Sequence, residues 1–287
     1  MRKLLPRLAL LGAALTLFAC SPSPEAARPA LWHVESPDGE TAWLFGTIHS
    51  AKAPLLWQTG KVRQALDDSH EIMVEVGNLA DENEVAATFA RLARNEGQPP
   101  LSQRIAPAER PALETLLKKG GYGDGDFAAM DTWAAALTVA QAGANKDEAR
   151  NGVDRGVIAA AGKRPVVELE GAAKQLGLFD SLPEREQRDL LSAVVAEADR
   201  SDADLAASWR KGDMATIEQE TRKGLLADPE LRAVLFVGRN RDWTARIAQA
   251  IDGGKRPFVA VGAAHMAGPE GLPAMLAQKG YTVTRIQ

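Results

Sequence analysis

Short apolar segments that follow turn-forming residues recur along this chain, and they limit the folds open to it. The clearest is PFVAV at residues 257–261, which follows the turn-forming stretch GGKR at 253–256. Segments of this length and composition favour strands that are covered on both faces of a sheet. The same pattern predicts a hairpin of residues 31–34 and 42–45, followed by strands at 71–76, 165–169, 257–261 and 281–286.

Helical patterns occupy the stretches between these predicted strands. Residues 81–84 offer an aspartate N-cap with a glutamate three residues later, and residues 108–119 end in two lysines before a pair of glycines. The expected fold is therefore α/β (α+β), with a small central β-sheet flanked by helices and a large helical insertion in the middle of the chain. Further helices are predicted at 85–95, at 127–144, at 183–226 as two or three helices broken around Gly212, within 229–251, and at 269–278.

Composition places the chain among globular proteins and excludes one class of partner. Of its 287 residues, 45% are hydrophobic and 25% are charged, and the formal net charge is −4. Such a composition excludes a chain that is disordered throughout. It also lacks the excess of basic residues that sequence-independent binding to nucleic acid requires. Because no shift in composition marks a second unit, we expect one domain over residues 29–287 and no nucleic-acid partner.

The N-terminus has the features of a secretory signal. A basic head precedes an apolar stretch at residues 8–19, which is too short for a membrane span. The LFAC sequence ending at Cys20 resembles the lipobox of bacterial lipoproteins, in which the cysteine is lipidated after cleavage; ordinary signal cleavage nearby is the alternative. We therefore expect a signal peptide over 1–19, lipidation of Cys20, and a flexible tether over 20–28. This predicts a protein held in the bacterial cell envelope by its N-terminal lipid and facing the periplasm, and Ser21 favours the outer membrane.

One pattern of chemically useful residues occurs twice. A predicted strand is followed by a glycine, two small or apolar residues and a histidine, as GTIH ending at His49 and as GAAH ending at His265. Both histidines then lie beyond the carboxyl end of a strand, where open α/β sheets bind ligands. A single match of this kind arises by chance, but two matches in a chain with four histidines favour a shared metal or catalytic site. The remaining two, His33 and His70, are expected to be structural or to face solvent.

Glutamates near the ends of predicted strands are further candidates. Glu75 interrupts the apolar run of its strand, and Glu168 and Glu170 end another. A buried ionised glutamate is costly unless it is paired or bound to a cation, so its presence suggests a partner, although each residue could also lie at an exposed strand end. Glu170, before a glycine, is the better candidate of its pair. Arg239 offers a clamp for an oxyanion or a carboxylate, with an exposed charged helix face as the alternative.

Two histidines and one or two carboxylates are a suitable donor set for a hydrolytic metal site. Imidazole and carboxylate suit zinc, manganese or cobalt, and composition does not choose among these ions. A divalent ion of this kind lowers the pKa of bound water and polarises a carbonyl, while a spare glutamate can move the proton.

The chain resembles the TraB/GumN family, which includes the Tiki metalloproteases. It is more distantly similar to the erythromycin-esterase-like and ChaN-like group. The resemblance covers residues 31–287 and is carried by several short motifs. They are LFGTIH at 44–49, the EVG strand around Glu75, DTW at 131–133, GVD at 152–154, KRPVVELE at 163–170, Arg239-Asn240, and VGAAHMAGPEGL at 261–272.

The resemblance implies a divalent-metal site that involves His49 and His265, with Glu75 as a further ligand or base and with Arg239 nearby. Glu170 matches the glutamate of the family's leucine-glutamate element. Together with the predicted N-terminal lipid, it favours an envelope-anchored, metal-dependent hydrolase that acts on a peptide, or on a small ester at the same metal. The alternatives are a lipoprotein that binds haem or a metal ion, as the ChaN-like similarity suggests, and a non-catalytic envelope scaffold.

Overall fold

The strands of the molecule form a mixed sheet. A computed structural model describes residues 23–77, 82–142, 146–198 and 203–287. The strands in these ranges are β1 (Glu25–Ala26), β2 (Leu31–Glu35), β3 (Thr41–Thr47), β4 (Leu55–Leu56), β5 (Glu71–Val74), β6 (Val166–Glu168), β7 (Pro257–Gly262) and β8 (Thr282–Arg285). Six of these described strands make one sheet in the order β6-β5-β7-β3-β2-β8. The first four in that order run parallel, whereas β2 is antiparallel to both of its neighbours. The predicted α/β class with a central sheet is confirmed.

Helices flank this sheet and fill the middle of the chain. They are α1 (Gly60–Asp68), α2 (Glu82–Leu92), α3 (Arg110–Gly120), α4 (Thr132–Ala142), α5 (Lys146–Arg150), α6 (Val153–Ala160), α7 (Gly171–Asp180), α8 (Glu184–Glu197), α9 (Ala203–Lys211), α10 (Met214–Glu220), α11 (Pro229–Arg232), α12 (Arg239–Asp252) and α13 (Leu272–Gln278). A π-helical stretch, Ala233–Gly238, joins α11 to α12. None of the helices in the described ranges has the length and apolar character of a membrane span. The predicted signal peptide and Cys20 lie outside the described residues.

The apolar run of β7 explains why the sheet is covered on both faces. Side chains alternate between the two faces of a strand. Phe258 and Ala260 pack on one face with Phe45, whereas Val259 and Val261 pack on the other. All four of these β7 side chains are buried. A strand of this kind needs neighbours on both sides and layers above and below, which makes β7 an interior strand.

A separate group of buried side chains forms the core of the helical insertion. It includes Trp133 of α4, Leu190 and Leu191 of α8, and Leu231 of α11. Most of this insertion lies between β5 and β7 in the sequence, and β6 is the one strand of the main sheet described within it. The large helical insertion predicted for the middle of the chain is confirmed.

The predicted tether over residues 20–28 is wrong for its second half. Glu25–Ala26 forms β1, which pairs in parallel with β4, and the backbone N–H of Glu25 donates to the carbonyl of Pro54 at 2.8 Å. Ala27 is buried. Proline and small polar residues suggested a solvated linker, but pairing with a distant strand gives this segment the backbone partners that local sequence does not reveal.

The helix predicted at residues 127–144 begins later, at Thr132. Arg104 is buried, and its guanidinium donates to the carbonyl of Phe127 at 2.7 Å and to that of Met130 at 2.8 Å. The backbone N–H of Asp131 donates instead to the carbonyl of Ala93 at 2.9 Å. These long-range bonds replace the hydrogen bonds of the first helical turn, so the segment before Thr132 is a series of turns.

Candidate functional site

The two Gly-x-x-His motifs lie side by side at one edge of the sheet. Strands β3 and β7 are parallel neighbours, and Thr47 lies opposite Gly262 in their register. Both strands therefore end at the same edge, and each leads into its histidine. A Cβ on Gly46 would lie 2.9 Å from Cα of Ala263, which is closer than real Cβ atoms approach such a neighbour. The glycine in the first motif thus allows the second motif to pack directly against it.

His265 is buried in the 3₁₀ turn that follows β7, and its tautomer is fixed by Asn240. The amide nitrogen of Asn240 donates to the carbonyl of Glu270 at 2.6 Å, so its oxygen faces the ring. That oxygen lies 2.6 Å from Nδ1 of His265, which therefore carries the proton and donates it. Burial lowers the pKa of His265 to about 4, so the ring is neutral. Its Nε2 keeps a lone pair, and Arg239 Nη1 lies 3.4 Å away.

Two aromatic rings hold the His265 imidazole in place. The centroid of the Trp243 ring lies 4.6 Å from that of His265, and the Phe236 ring stacks on it at 5.2 Å. Phe236 belongs to the π-helical stretch and Trp243 to α12. Single-turn π segments inside α-helices often occur at functional sites.

His49 lies at the rim of the site, with 77% of its side chain exposed, and Asp154 orients it. Nδ1 of His49 lies 2.8 Å from Oδ2 of Asp154, and the hydroxyl of Thr47 donates to Oδ1 of the same carboxylate. The hydrogen bond to Asp154 raises the pKa of His49 to about 9. As in His265, the Nδ1 atom is engaged, and the Nε2 atom is left for another partner.

The GVD segment that supplies Asp154 also packs against the first histidine motif. A Cβ on Gly152 would lie 2.4 Å from the carbonyl oxygen of His49, and the N–H of Val153 donates to the carbonyl of Ile48 at 2.8 Å. Asp154 lies in the first turn of α6. Reasoning from residue type and spacing missed this aspartate, and the one sequence signal for it was the GVD motif.

Glu75 directly follows β5 and points to the end of β7. Its Oε1 accepts a hydrogen bond from the backbone N–H of Gly262 at 2.7 Å, and its Oε2 accepts one from Arg239 Nη2, also at 2.7 Å. Burial opposes ionisation, but the pKa of Glu75 still falls below its ordinary value because His265, Arg239 and His49 stabilise the carboxylate. Glu75 is therefore ionised and connects the end of β5 to the end of β7 and to Arg239.

Glu170 lies beside Glu75 and forms a two-point contact with Arg239. Only 1% of its side chain is exposed, and its two oxygens accept from Nη2 and Nε of Arg239 at 2.5 and 3.2 Å. Burial raises the pKa of Glu170, and the charge of Glu75 adds to this, while Arg239 opposes it. The backbone N–H groups of Glu170 and Gly171 both donate to the carbonyl of Glu75. The alternative in which these glutamates lie at exposed strand ends does not apply.

Arg239 is the cation at the centre of this arrangement. It begins α12, has 11% of its side chain exposed, and lies 4.5 Å above the ring of Trp243. Its guanidinium contacts Glu75, Glu170 and His265. The exposed helix face considered for Arg239 is therefore wrong, because packing against the sheet turns this residue inward.

A small cavity opens beside His49, Glu75 and Asp154. Its volume is about 80 Å³, and it is bounded on its polar side by His49, Glu75 and Asp154 and elsewhere by Val74, Val76, Ile158, Gln175 and Ala260. A larger cavity of about 500 Å³ lies in the helical insertion and is lined by none of the predicted site residues. The smaller cavity is thus bordered by His49, Glu75 and Asp154, whereas His265, Glu170 and Arg239 do not line it.

The donor chemistry of the site suits a divalent metal, although the ligand atoms do not converge in this structure. His49 and His265 each have Nδ1 engaged, as metal-bound histidines usually do, and Glu75 supplies a carboxylate. Across the described ranges, however, the one set of three or more ligand atoms within 4.8 Å of one another comprises Glu186, Asp228 and Glu230. Instead, the carboxylates of the site are paired with Arg239.

Comparisons with known proteins identify a family and two relatives. The model of the family described as the TraB/PrgY/gumN family matches residues 30–285. YbaP of Shigella flexneri, described as uncharacterized, is 26% identical over 257 residues, which are 84% of this chain and 89% of that protein. YbaP of Escherichia coli K12, also described as uncharacterized, is 26% identical over 250 residues, which are 81% of this chain and 86% of that protein. No solved structure matches the chain significantly.

Proposed function

The chain belongs to the TraB/PrgY/gumN family, and on that premise we propose that it is an envelope-anchored hydrolase that depends on a divalent metal and cleaves peptide bonds. His49, His265 and Glu75 hold the metal, which is zinc, manganese or cobalt. Glu170 and Arg239 complete the catalytic group, and a small ester is the second substrate class. The N-terminal lipid on Cys20 attaches the protein to the membrane, facing the periplasm and at the outer membrane.

The observation that supports this proposal best is that both histidines have an oxygen partner at Nδ1. In each ring Nδ1 contacts an oxygen, of Asp154 in one case and of Asn240 in the other, so Nε2 is the atom that a metal would bind. Binding would displace the proton that a pKa of about 9 keeps on His49, and would displace Arg239 Nη1 from His265. Metal-binding histidines almost always have such an outer partner, which fixes the tautomer and the ring orientation. Two histidines with such outer partners, at the ends of neighbouring strands and beside an ionised glutamate, favour one shared metal.

The remaining residues suit hydrolysis at this position. A bound divalent ion supplies a water of lowered pKa and polarises a carbonyl. Glu75 is ionised, so it serves as the third ligand or, in the other role open to it, accepts a proton as a general base. Arg239 carries a positive charge that can bind a substrate carboxylate or an oxyanion, and Glu170 holds its guanidinium in a fixed plane.

Binding of haem is the less favoured alternative. The cavity beside His49 has a volume of about 80 Å³, whereas sites for drug-sized ligands usually have about 300–1,000 Å³. A porphyrin would need a cleft that this edge of the sheet lacks in the described residues. A protein that binds a metal ion without hydrolysis is the alternative that the following experiment separates.

The test measures metal content and hydrolysis together. We expect the purified protein to contain about one divalent metal per chain and to cleave members of a peptide library, and both properties to fall sharply in His49→Ala and His265→Ala. Loss of one metal ligand or of its outer partner reduces affinity or activity by about 10–100-fold or more. The matched control is His70→Ala, because His70 is exposed and is not part of the site.

Each outcome has a clear meaning. Stoichiometric metal that persists in both histidine variants would contradict the site. Metal that is lost in those variants, without hydrolysis of any peptide or ester by the wild type, would support the metal-binding alternative. A haem absorption band on titration would favour the haem alternative. The anchor is tested separately with Cys20→Ser, which should move the protein from the membrane fraction to the soluble fraction.

A further inference from the structure

A second group of acidic side chains lies away from the sheet, in the helical insertion. Glu186, Asp228 and Glu230 each offer one carboxylate oxygen, and these three oxygens lie within 4.8 Å of one another. Oxygen ligands bind Ca²⁺ at about 2.3–2.6 Å, so two ligands of one ion are at most about 5 Å apart. The spacing of the three carboxylates therefore fits ligands of a single cation.

Two helix N-termini hold these carboxylates in place. Glu186 lies in the first turn of α8. Asp228 is the N-cap of α11, and its Oδ1 accepts from the backbone N–H groups of Glu230 at 3.0 Å and Leu231 at 2.9 Å. Glu230 lies in the first turn of the same helix. The positions of the acids are thus fixed by the backbone of two packed helices.

One carboxylate oxygen in this group is buried and has no partner. Glu186 is 6% exposed, and its Oε2 has no hydrogen-bond partner in the part of the chain that the structure describes. Its other oxygen accepts from Nε of Arg185 at 2.8 Å, but 71% of the Arg185 side chain is exposed. A buried polar atom without a partner is destabilising, and native proteins seldom leave one without a water or an ion.

The charges around Glu186 leave a negative excess. Asp189, which lies one turn further along α8 and is half-buried, joins the group, and its pKa is raised by burial and by the negative charges of Glu186 and Asp228. Arg185 is the cation that contacts Glu186, and its Nη2 lies 3.8 Å from Glu230. Among the described residues, one exposed guanidinium therefore contacts a group of four carboxylates, which repel one another.

We propose that Glu186, Asp228 and Glu230 bind a Ca²⁺ ion that joins α8 to α11. Carboxylate oxygens are the ligands that this hard cation prefers, and its flexible coordination accepts an incomplete protein shell completed by water. The ion supplies a partner to the buried Oε2 of Glu186 and removes the repulsion among the acids. It also fixes the start of the helical segment that continues through residues 233–238 to Arg239.

The test titrates CaCl₂ into the full chain after chelator treatment and follows the melting temperature and the heat of binding. At a Ca²⁺ concentration 100-fold above Kd, we expect the melting temperature to rise by about 5–10 °C. Glu186→Gln and Glu230→Gln should each weaken Ca²⁺ binding by about tenfold or more, since the charge of the ligand set governs affinity. In chelator, Glu186→Gln should melt at or above the wild-type temperature, because it removes repulsion without removing a bound ion.

Two controls separate this site from the one at the sheet edge. Glu96→Gln changes an exposed acid outside the group, which pairs with Arg94, and should keep the full response to Ca²⁺. His265→Ala should keep it as well. A wild-type melting temperature that does not respond to millimolar Ca²⁺ would overturn the proposal, and so would an undiminished response in both glutamine variants. Because Glu230 is largely exposed, Glu230→Gln provides the answer if Glu186→Gln does not fold.

Discussion

Replacing Arg239 by methionine tests whether its guanidinium holds the carboxylates of the site together. Arg239 donates to Glu75 at 2.7 Å and to Glu170 at 2.5 Å, and the exposed fractions of the three side chains are 11%, 13% and 1%. Methionine preserves much of the apolar stem but removes the charge, so two buried carboxylates lose their shared partner. Removing one member of a buried ion pair costs about 3–5 kcal/mol. We expect the free energy of unfolding to fall by about that amount.

The assay is urea unfolding of chelator-treated protein, followed by circular dichroism. The chain offers an exposed control pair on the same helix as Arg239, because Lys174 of α7 pairs with Asp242 of α12 at 2.8 Å. Their side chains are 48% and 60% exposed, and exposed pairs contribute about 0–1 kcal/mol. Lys174→Met should therefore change the free energy of unfolding by less than about 1 kcal/mol.

A third variant identifies the cause of the loss. Adding Glu75→Gln and Glu170→Gln to Arg239→Met removes the unpaired charges, so part of the lost stability should return. If Arg239→Met costs no more than Lys174→Met, the reasoning from buried charge is wrong. If the two glutamines restore nothing, the loss arises from packing against Trp243 rather than from uncompensated carboxylates.

Two further substitutions test how the histidines are positioned. Asp154 accepts hydrogen bonds from Thr47 and His49, whereas asparagine offers a single acceptor oxygen. Asp154→Asn should therefore lower metal affinity about 10–100-fold in a competitive chelator titration. Unchanged affinity would contradict the role of Asp154 as the partner that orients His49. Gly46→Ala places a Cβ 2.9 Å from Cα of Ala263 and should cost about 1–3 kcal/mol in urea unfolding. Gly60→Ala, where nothing lies within 4 Å of the added Cβ, should be close to neutral; an equal effect at both glycines would refute the close-approach argument.

The strands and the histidine motifs could be predicted because their signals are local. Every residue of a run such as PFVAV is apolar, which indicates burial on both faces of the strand. A histidine just after such a run must lie at the strand's end. A site shared by the two histidines requires β3 and β7 to lie side by side, and the structure shows that they do. The register that sets Thr47 against Gly262 depends on the whole sheet, and no local pattern contains it.

The partners of these histidines could not be predicted from residue type and spacing. Asp154 and Asn240 reach them from helices that lie far away in the sequence. The same limit explains the two structural errors. Arg104 donates to the carbonyls of Phe127 and Met130, which in an earlier start of α4 would accept helical hydrogen bonds. Glu25–Ala26 pairs with the distant strand β4. In each case a long-range hydrogen bond decides between local alternatives.

The position of β7 in the sheet has a consequence for how the molecule is made. β7 lies between β5 and β3 in the sheet, yet it follows both of them in the sequence and is therefore synthesised after them. Until residue 257 has emerged, β3 and β5 each present an open edge, and open edges invite pairing with other chains. A chain without this strand should therefore be prone to aggregation. Pairing of β7 with both strands closes the gap and brings Gly262, which precedes His265, against Glu75.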